Sequence, residues 1–214
     1  MNITKIRSQL LLLALVAGSH ALVAQNLLVN GSFENPSVPL PPFVVFLDPG
    51  STFMPGWSVI GSGDVHLYAT TAAQDGRQTL DLSGGTGTTA HGNAGIAQTF
   101  ATVPGQSYEL SFYHGSLAQT VSGPVFSVTI NGQTYNFGET AGSVANPDWK
   151  RATIPFTASS VFSSLSFNNT TGFDSNDNVL DNISVTSVPE PAEWALLVGS
   201  CFVGITLSLH SRRR

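Results

Sequence analysis

Cysteine is almost missing from this 214-residue chain. Its single thiol, Cys201, sits in an apolar run near the C-terminus, so residues 25–187 can close no internal disulfide and have to be held by packing or by a bound ion. Charge is scarce too, and basic charge most of all: between the two ends stand only Arg77, Lys150 and Arg151, against acids spread from Glu34 to Asp181. Phosphate backbones are held by clusters of Lys and Arg, so the sequence argues against a nucleic-acid partner. Helical patterning is absent, since no window between the ends keeps apolar residues at helical spacing for three turns.

Catalytic signatures are missing as well. His66, His91 and His114 are too scattered for a zinc signature, and there is no His-Glu-x-x-His and no serine in a Gly-x-Ser-x-Gly elbow. The glycine-rich stretch Gly84 to Gly95 has no lysine to meet phosphates. Asp75 with Asp81, or Asp64 with Glu109, would make a glycosidase dyad only if folding set them across a cleft. The chain is therefore expected not to be an enzyme.

What is present begins at the ends. Residues 1–24 run from Lys5 and Arg7 into the apolar stretch Leu10 to Ala17 and then to small residues at Ser19, Ala21 and Ala24, the layout of a secretory signal peptide cleaved after Ala21 or Ala24. Residues 188–214 carry Pro189, Glu190 and Pro191, an apolar stretch from Trp194 to Leu209, and Arg212, Arg213 and Arg214. Such a stretch spans a thin bilayer, and the terminal arginines would hold the C-terminus in the cytoplasm. The triplet, apolar helix and arginine cluster, in that order, resemble the PEP-CTERM sorting signal. That resemblance implies recognition by an exosortase, an intermediate anchored in the inner membrane, and delivery to the cell surface or extracellular matrix of a Gram-negative bacterium that makes exopolysaccharide. Ser200, Thr206 and His210 interrupt the apolar helix and depart from the pattern.

Residues 25–187 are the right size for one domain. Short runs of alternating, β-branched or aromatic residues are separated by Gly, Pro and Asn. They predict strands at Asn26 to Val29, Trp57 to Ile60, Asp64 to Tyr68, Thr79 to Leu82, Gly95 to Phe100 and Ser107 to His114. Further strands are expected at Val125 to Ile130, Gln133 to Phe137, Lys150 to Phe156, Ser164 to Asn168 and Asn178 to Thr186. Asn131-Gly132 marks a tight hairpin, because both turn positions need positive φ. Asn35 to Pro55 is too rich in proline to be a central strand and reads as a long surface loop. The fold class is all-β, an antiparallel β-sandwich.

Asn30-Gly31-Ser32-Phe33-Glu34, Pro55-Gly56-Trp57, Leu80-Asp81-Leu82-Ser83-Gly84, Gly95-Ile96-Ala97-Gln98-Thr99-Phe100, Pro104 to Phe112 and Leu180-Asp181-Asn182-Ile183 together resemble the choice-of-anchor C family and a related domain family of plant cell-wall proteins. More distantly they resemble the jelly-roll, galactose-binding-like carbohydrate-binding modules attached to xylanases. The last resemblance implies a structural Ca2+ held by Glu34 and Asp181 with backbone carbonyls such as that of Ser32. The alternative from the residues alone is that Asp181 caps a turn and Glu34 is a solvated charge. Asp174 to Asn178 lacks the glycine and glutamate of a calcium loop and reads as a polar turn.

Aromatic rings are the usual support for a sugar face. Trp57 and Tyr108 are expected in the core by resemblance. Trp149, between Asp148 and Lys150 and after the Asn146-Pro147 turn, is the ring expected either at a ligand site or buried at a strand start. The function expected is a non-catalytic, polysaccharide-associated module, with a ligand-free matrix protein or a glycan-active enzyme as alternatives.

Overall fold

The computed structural model describes residues 25–39, 43–82, 93–117, 126–138, 142–143, 145–170 and 178–189. The signal segment, Glu190, Pro191, Arg212 to Arg214, most of the glycine-rich stretch and most of Asp174 to Asn178 lie outside the described residues. Asn26–Val188 is one compact unit. Its strands are β1 (Phe43–Leu47), β2 (Ser58–Gly61), β3 (Val65–Ala69), β4 (Gln78–Asp81), β5 (Ala94–Ala101) and β6 (Ser107–Ser116), followed by β7 (Phe126–Ile130), β8 (Gln133–Phe137), β9 (Lys150–Thr157), β10 (Phe162–Asn169) and β11 (Asn178–Ser187). They form a six-stranded sheet, β1-β3-β4-β11-β6-β9, and a five-stranded sheet, β2-β5-β10-β7-β8. Every pairing is antiparallel.

Period-two patterning decides which face each strand buries. In β6 Tyr108, Leu110, Phe112 and His114 are buried while Ser107, Glu109, Ser111 and Tyr113 are only partly so. Aromatic rings cross the interior in a chain: Phe33 to Trp57 at 5.8 Å, Trp57 to Phe167 at 6.4 Å, Phe167 to Phe112 at 5.1 Å. It continues from Phe112 to Phe137 at 5.2 Å, and Phe137 stacks on Phe126 at 5.3 Å. Trp57 is 1% exposed, so the ring after the Pro-Gly pair is core, and its indole N–H donates to the Asn30 carbonyl at 3.0 Å. Tyr108 is buried against Phe156, and its hydroxyl accepts the Val103 N–H at 2.9 Å.

Two expectations differ from the structure. The proline-rich stretch from Asn35 to Pro55 is not all loop: Phe43–Leu47 pairs with β3 as the outermost strand of the six-stranded sheet. Its prolines flank the strand and none lies in it, and the run Phe43-Val44-Val45-Phe46-Leu47 favours an edge position. Conversely Asn26 to Val29 is not a strand. β4 pairs with β11 only at Val179 and Leu180, and the N-terminal segment lies beside β11 beyond that point. Leu27 N–H donates to the Val185 carbonyl at 2.9 Å, and the Asn26 side chain does the rest, donating to the Ile183 carbonyl and accepting from Val185 N–H. A side chain with a donor and an acceptor thus substitutes for backbone pairing.

Candidate functional site

The residues singled out in the sequence converge on one loop, Thr70–Arg77, which joins β3 to β4. The Asn-Gly-Ser-Phe-Glu motif reaches it from one side. Asn30 adopts φ +56° and locks its amide onto the backbone of Asn35. Gly31 passes so close to β11 that a Cβ there would lie 1.9 Å from the Ile183 carbonyl oxygen, which excludes any side chain. Ser32 Oγ donates to Asp75 at 2.7 Å, Phe33 enters the core, and Glu34 Oε1 accepts the backbone N–H groups of Arg77 and Gln78, both at 2.7 Å.

The Leu-Asp-Asn-Ile motif reaches the loop from the other side. A β-bulge between Asp181 and Ser184, with Asn182 at φ +48°, turns both polar side chains toward it. Asp181 Oδ2 accepts from Gln74 and Asp75 N–H at 2.8 and 2.9 Å, Oδ1 accepts from Asn182 N–H at 2.6 Å, and the Asn182 amide donates to Gln74 Oε1 at 2.8 Å. Asp181 is fully buried, and that burial pushes its carboxyl up to about 7, against the opposing pull of those three amides.

The two carboxylates proposed for calcium therefore share a loop. What meets them is N–H groups: both oxygens of Asp181 and one of Glu34 already accept from amides. Calcium needs six to eight oxygens, and converging N–H dipoles oppose a cation. The donor set as placed does not fit the ion, and it fits the turn-capping alternative for Asp181.

Trp149 clamps the same loop from above β6. It is half-buried, its indole N–H donates to the Ala72 carbonyl at 2.9 Å, and its ring lies against Gly115, where a Cβ would come within 3.2 Å of Cε3. Its polar handle is thus already engaged, so only a ring face would be left for a ligand.

Beside the clamped loop opens a cavity of about 300 Å³ lined by Ser37, Val38, Pro39, Arg77 and Gln78. Gln78 is 1% exposed and builds its wall: Oε1 accepts from Val38 N–H at 2.6 Å, and Nε2 donates to the carbonyls of Phe33 and Pro36.

A second polar surface is the outer face of the five-stranded sheet. Register places Ser58, Ala97, Ser166, Thr129 and Thr134 in one row across it, and Gly95, Asn168, Ser127 and Asn136 in the next. The alternate residues Ile96, Phe167 and Val128 are in the core, so these rows point outward.

Sequence reasoning missed one polar cluster. His66 Nε2 lies 3.1 Å from Asp64 Oδ2 and Nδ1 3.8 Å from Asp81 Oδ2, all three buried, with the Phe46 ring edge-on to the imidazole at 4.6 Å. The signal was available: Asp64 and His66 are two apart, hence on one face, and Asp81 stands opposite His66 in the ladder. The acids of the suggested pairs each have another partner. Asp81 faces His66 while Asp75 meets Ser32, and Glu109 pairs with Arg151 at 3.6 Å.

Residues 26–186 match a family described as Protein of unknown function (DUF642). Halomucin of Haloquadratum walsbyi is 30% identical over 184 residues, 83% of this chain, and the chain spans only 2% of that protein's length. Among solved structures, an arabinose-bound α-L-arabinofuranosidase, MgGH51, aligns with a TM-score of 0.50 at 13% identity, over 80% of this chain and 27% of that one. TmCBM61 in complex with β-1,4-galactotriose gives 0.48 at 14% identity, over 77% and 100%. A Family 16 Carbohydrate Binding Module gives 0.47 at 22%, over 75% and 99%. The first of these likenesses shows a shared fold.

Proposed function

Since the chain belongs to the DUF642 family, whose description leaves its activity open, we propose from the geometry that it is a non-catalytic module that holds polysaccharide. The observation that carries this is the outer face of the five-stranded sheet. Its side chains are short hydroxyls and amides: Ser166, Thr129, Thr134, Asn168, Ser127 and Asn136. Each carries both a donor and an acceptor, the pairing that sugar hydroxyls require. Ser127 is buried, Thr129 bonds Thr134 and Asn168 bonds Ser166, which leaves exposed Thr134 and Asn136 the most open positions on a rigid ladder. The sugar-binding proteins named above are in keeping with that reading. A glycan array on the compact unit Asn26–Val188 tests it. Thr134→Ala combined with Asn136→Ala, both exposed on an edge strand, should lower affinity for any hit about tenfold while leaving melting unchanged. Binding that survives both substitutions moves the site off this face, and an array without hits favours a matrix protein with no specific ligand.

The proposal extends to the ends: export through residues 1–24 and sorting through Pro189 to Pro191 by an exosortase, with the apolar stretch and Arg212 to Arg214 holding an inner-membrane intermediate. Replacing Glu190 with Ala should leave export intact and hold the protein in the membrane fraction, because the stop-transfer elements remain. Release at the parental rate, followed by immunoblot of fractionated cells, would contradict the sorting role.

A further inference from the structure

The cavity beside the clamped loop is lined by an exposed arginine that makes no ion pair among the described residues. Of the three basic residues among those described, Lys150 lies 3.7 Å from Asp148 and Arg151 lies 3.6 Å from Glu109. Arg77 forms no ion pair among the described residues. It lines the cavity together with Ser37, Val38, Pro39 and Gln78.

The surroundings are rigid in the way a binding site needs. The backbone at Arg77 is pinned from three directions: its N–H donates to Glu34, its carbonyl accepts from Thr70 N–H at 2.9 Å, and the loop before it is capped by Asp181. The opposite wall, Ser37 to Pro39, is tied by the buried Gln78 amide, whose groups are all used on Phe33, Pro36 and Val38 and are not offered to a ligand. Among the described residues, the cavity is therefore left with the exposed Arg77 and Ser37 and the surface of Val38 and Pro39 for a ligand. The Glu34 Oε1 beside it is turned onto the Arg77 and Gln78 amides.

A planar guanidinium beside a hydroxyl and an apolar wall matches a carboxylate carried on a sugar ring: the fork takes the carboxylate, the hydroxyl a ring oxygen substituent, and the apolar wall the C–H face. We propose that this cavity binds the carboxylate of an acidic polysaccharide, a uronic acid unit. The inference rests on the polysaccharide reading and adds a second site, separate from the sheet face, that selects for charge. The rest of the domain is acidic, so it repels a polyanion at long range, and recognition at Arg77 is local and salt-sensitive.

The test titrates the purified protein by calorimetry, in low salt, with an oligouronate, its methyl ester and a neutral oligosaccharide of equal length. The acid should bind about threefold to tenfold more tightly than the ester, the range of a solvent-facing Arg–carboxylate contact. Arg77→Gln should erase that preference, Ser37→Glu should do so by supplying an internal carboxylate, and Arg151→Gln, whose charge is already paired, should retain it. Equal melting temperatures of the three variants show that folding is not what changed. Equal binding of acid and ester, or a preference that survives Arg77→Gln, overturns the inference while leaving glycan binding by the sheet intact. Failure of all three sugars to bind overturns the inference, while the sheet-face reading falls only with an array without hits.

Discussion

At the scale of single residues, the Asn-Gly-Ser-Phe-Glu and Leu-Asp-Asn-Ile motifs are legible as important in the sequence, but their task is not. Each position has a definite one: a left-handed backbone at Asn30, a close approach at Gly31, carboxylates on amides at Glu34 and Asp181. Oxygen-rich motifs at the two ends of a chain look alike whether they gather a cation or backbone N–H groups, and only placement of the Thr70–Arg77 loop between them decides. The two roles make different predictions. With Asp181 serving amides, Asp181→Ala should cost roughly 2 to 5 kcal/mol, because it leaves buried donors unpaired. Chelator should leave the parental melting temperature unchanged in the same calorimetric scan. A drop with chelator that added calcium restores would return the metal to this loop.

At the scale of elements, ten of the eleven strands were readable because alternation on a half-buried sheet is a local signal. β8 matches its expected bounds, and the Asn131-Gly132 hairpin before it has φ of 48° and 77°. The failures lie where local signals mislead. Five prolines hid β1, since proline forbids a central strand and not the strand between its prolines. The Leu27-Leu28-Val29 run suggested a strand where Asn26 and Gln98 side chains bond the backbone instead, Gln98 holding both N–H and carbonyl of Val29. Long-range side-chain pairings of this kind leave no periodic trace. Nor did spacing reveal the Arg77 cavity, whose walls come from segments about forty residues apart in the chain and are joined by the Gln78 amide.

At the scale of the whole molecule, two buried titratable groups act on stability in opposite directions. Burial, aided by Lys150, lowers His114 to about 4, amid the rings of Phe112, Phe126 and Phe137. Its contribution is present above the free value of 6.5 and lost as pH falls toward 4. Asp181, raised from 3.8 to about 7, contributes in the reverse sense, its stability being present at low pH and lost as pH rises toward 7. Between pH 4 and 6.5 the unfolded chain carries its proton on the histidine and the folded one on the aspartate, so the pair cancels. Substitution should expose each slope, of about 1.4 kcal/mol per pH unit. His114→Leu should lose stability on going from pH 4 to 7, and Asp181→Asn should lose it on going from pH 6.5 to 4, as read from urea melts across that range. Slopes of the same sign in both variants would rule out this compensation.

The hydrogen bond from Leu27 to Val185 has a mechanical consequence. The N-terminal segment runs antiparallel to β11, with Gly31 beside Ile183 and Leu27 beside Val185, so the chain enters and leaves the domain side by side and pointing the same way. Tension applied between those two points would not shear the sandwich. It would unzip the pairings at that end first, Leu27 and Asn26 from β11 on the entering side and Val188 and Ser187 from β6 on the leaving side. Load on the two ends would therefore fall on a few hydrogen bonds at a time rather than on a whole ladder at once.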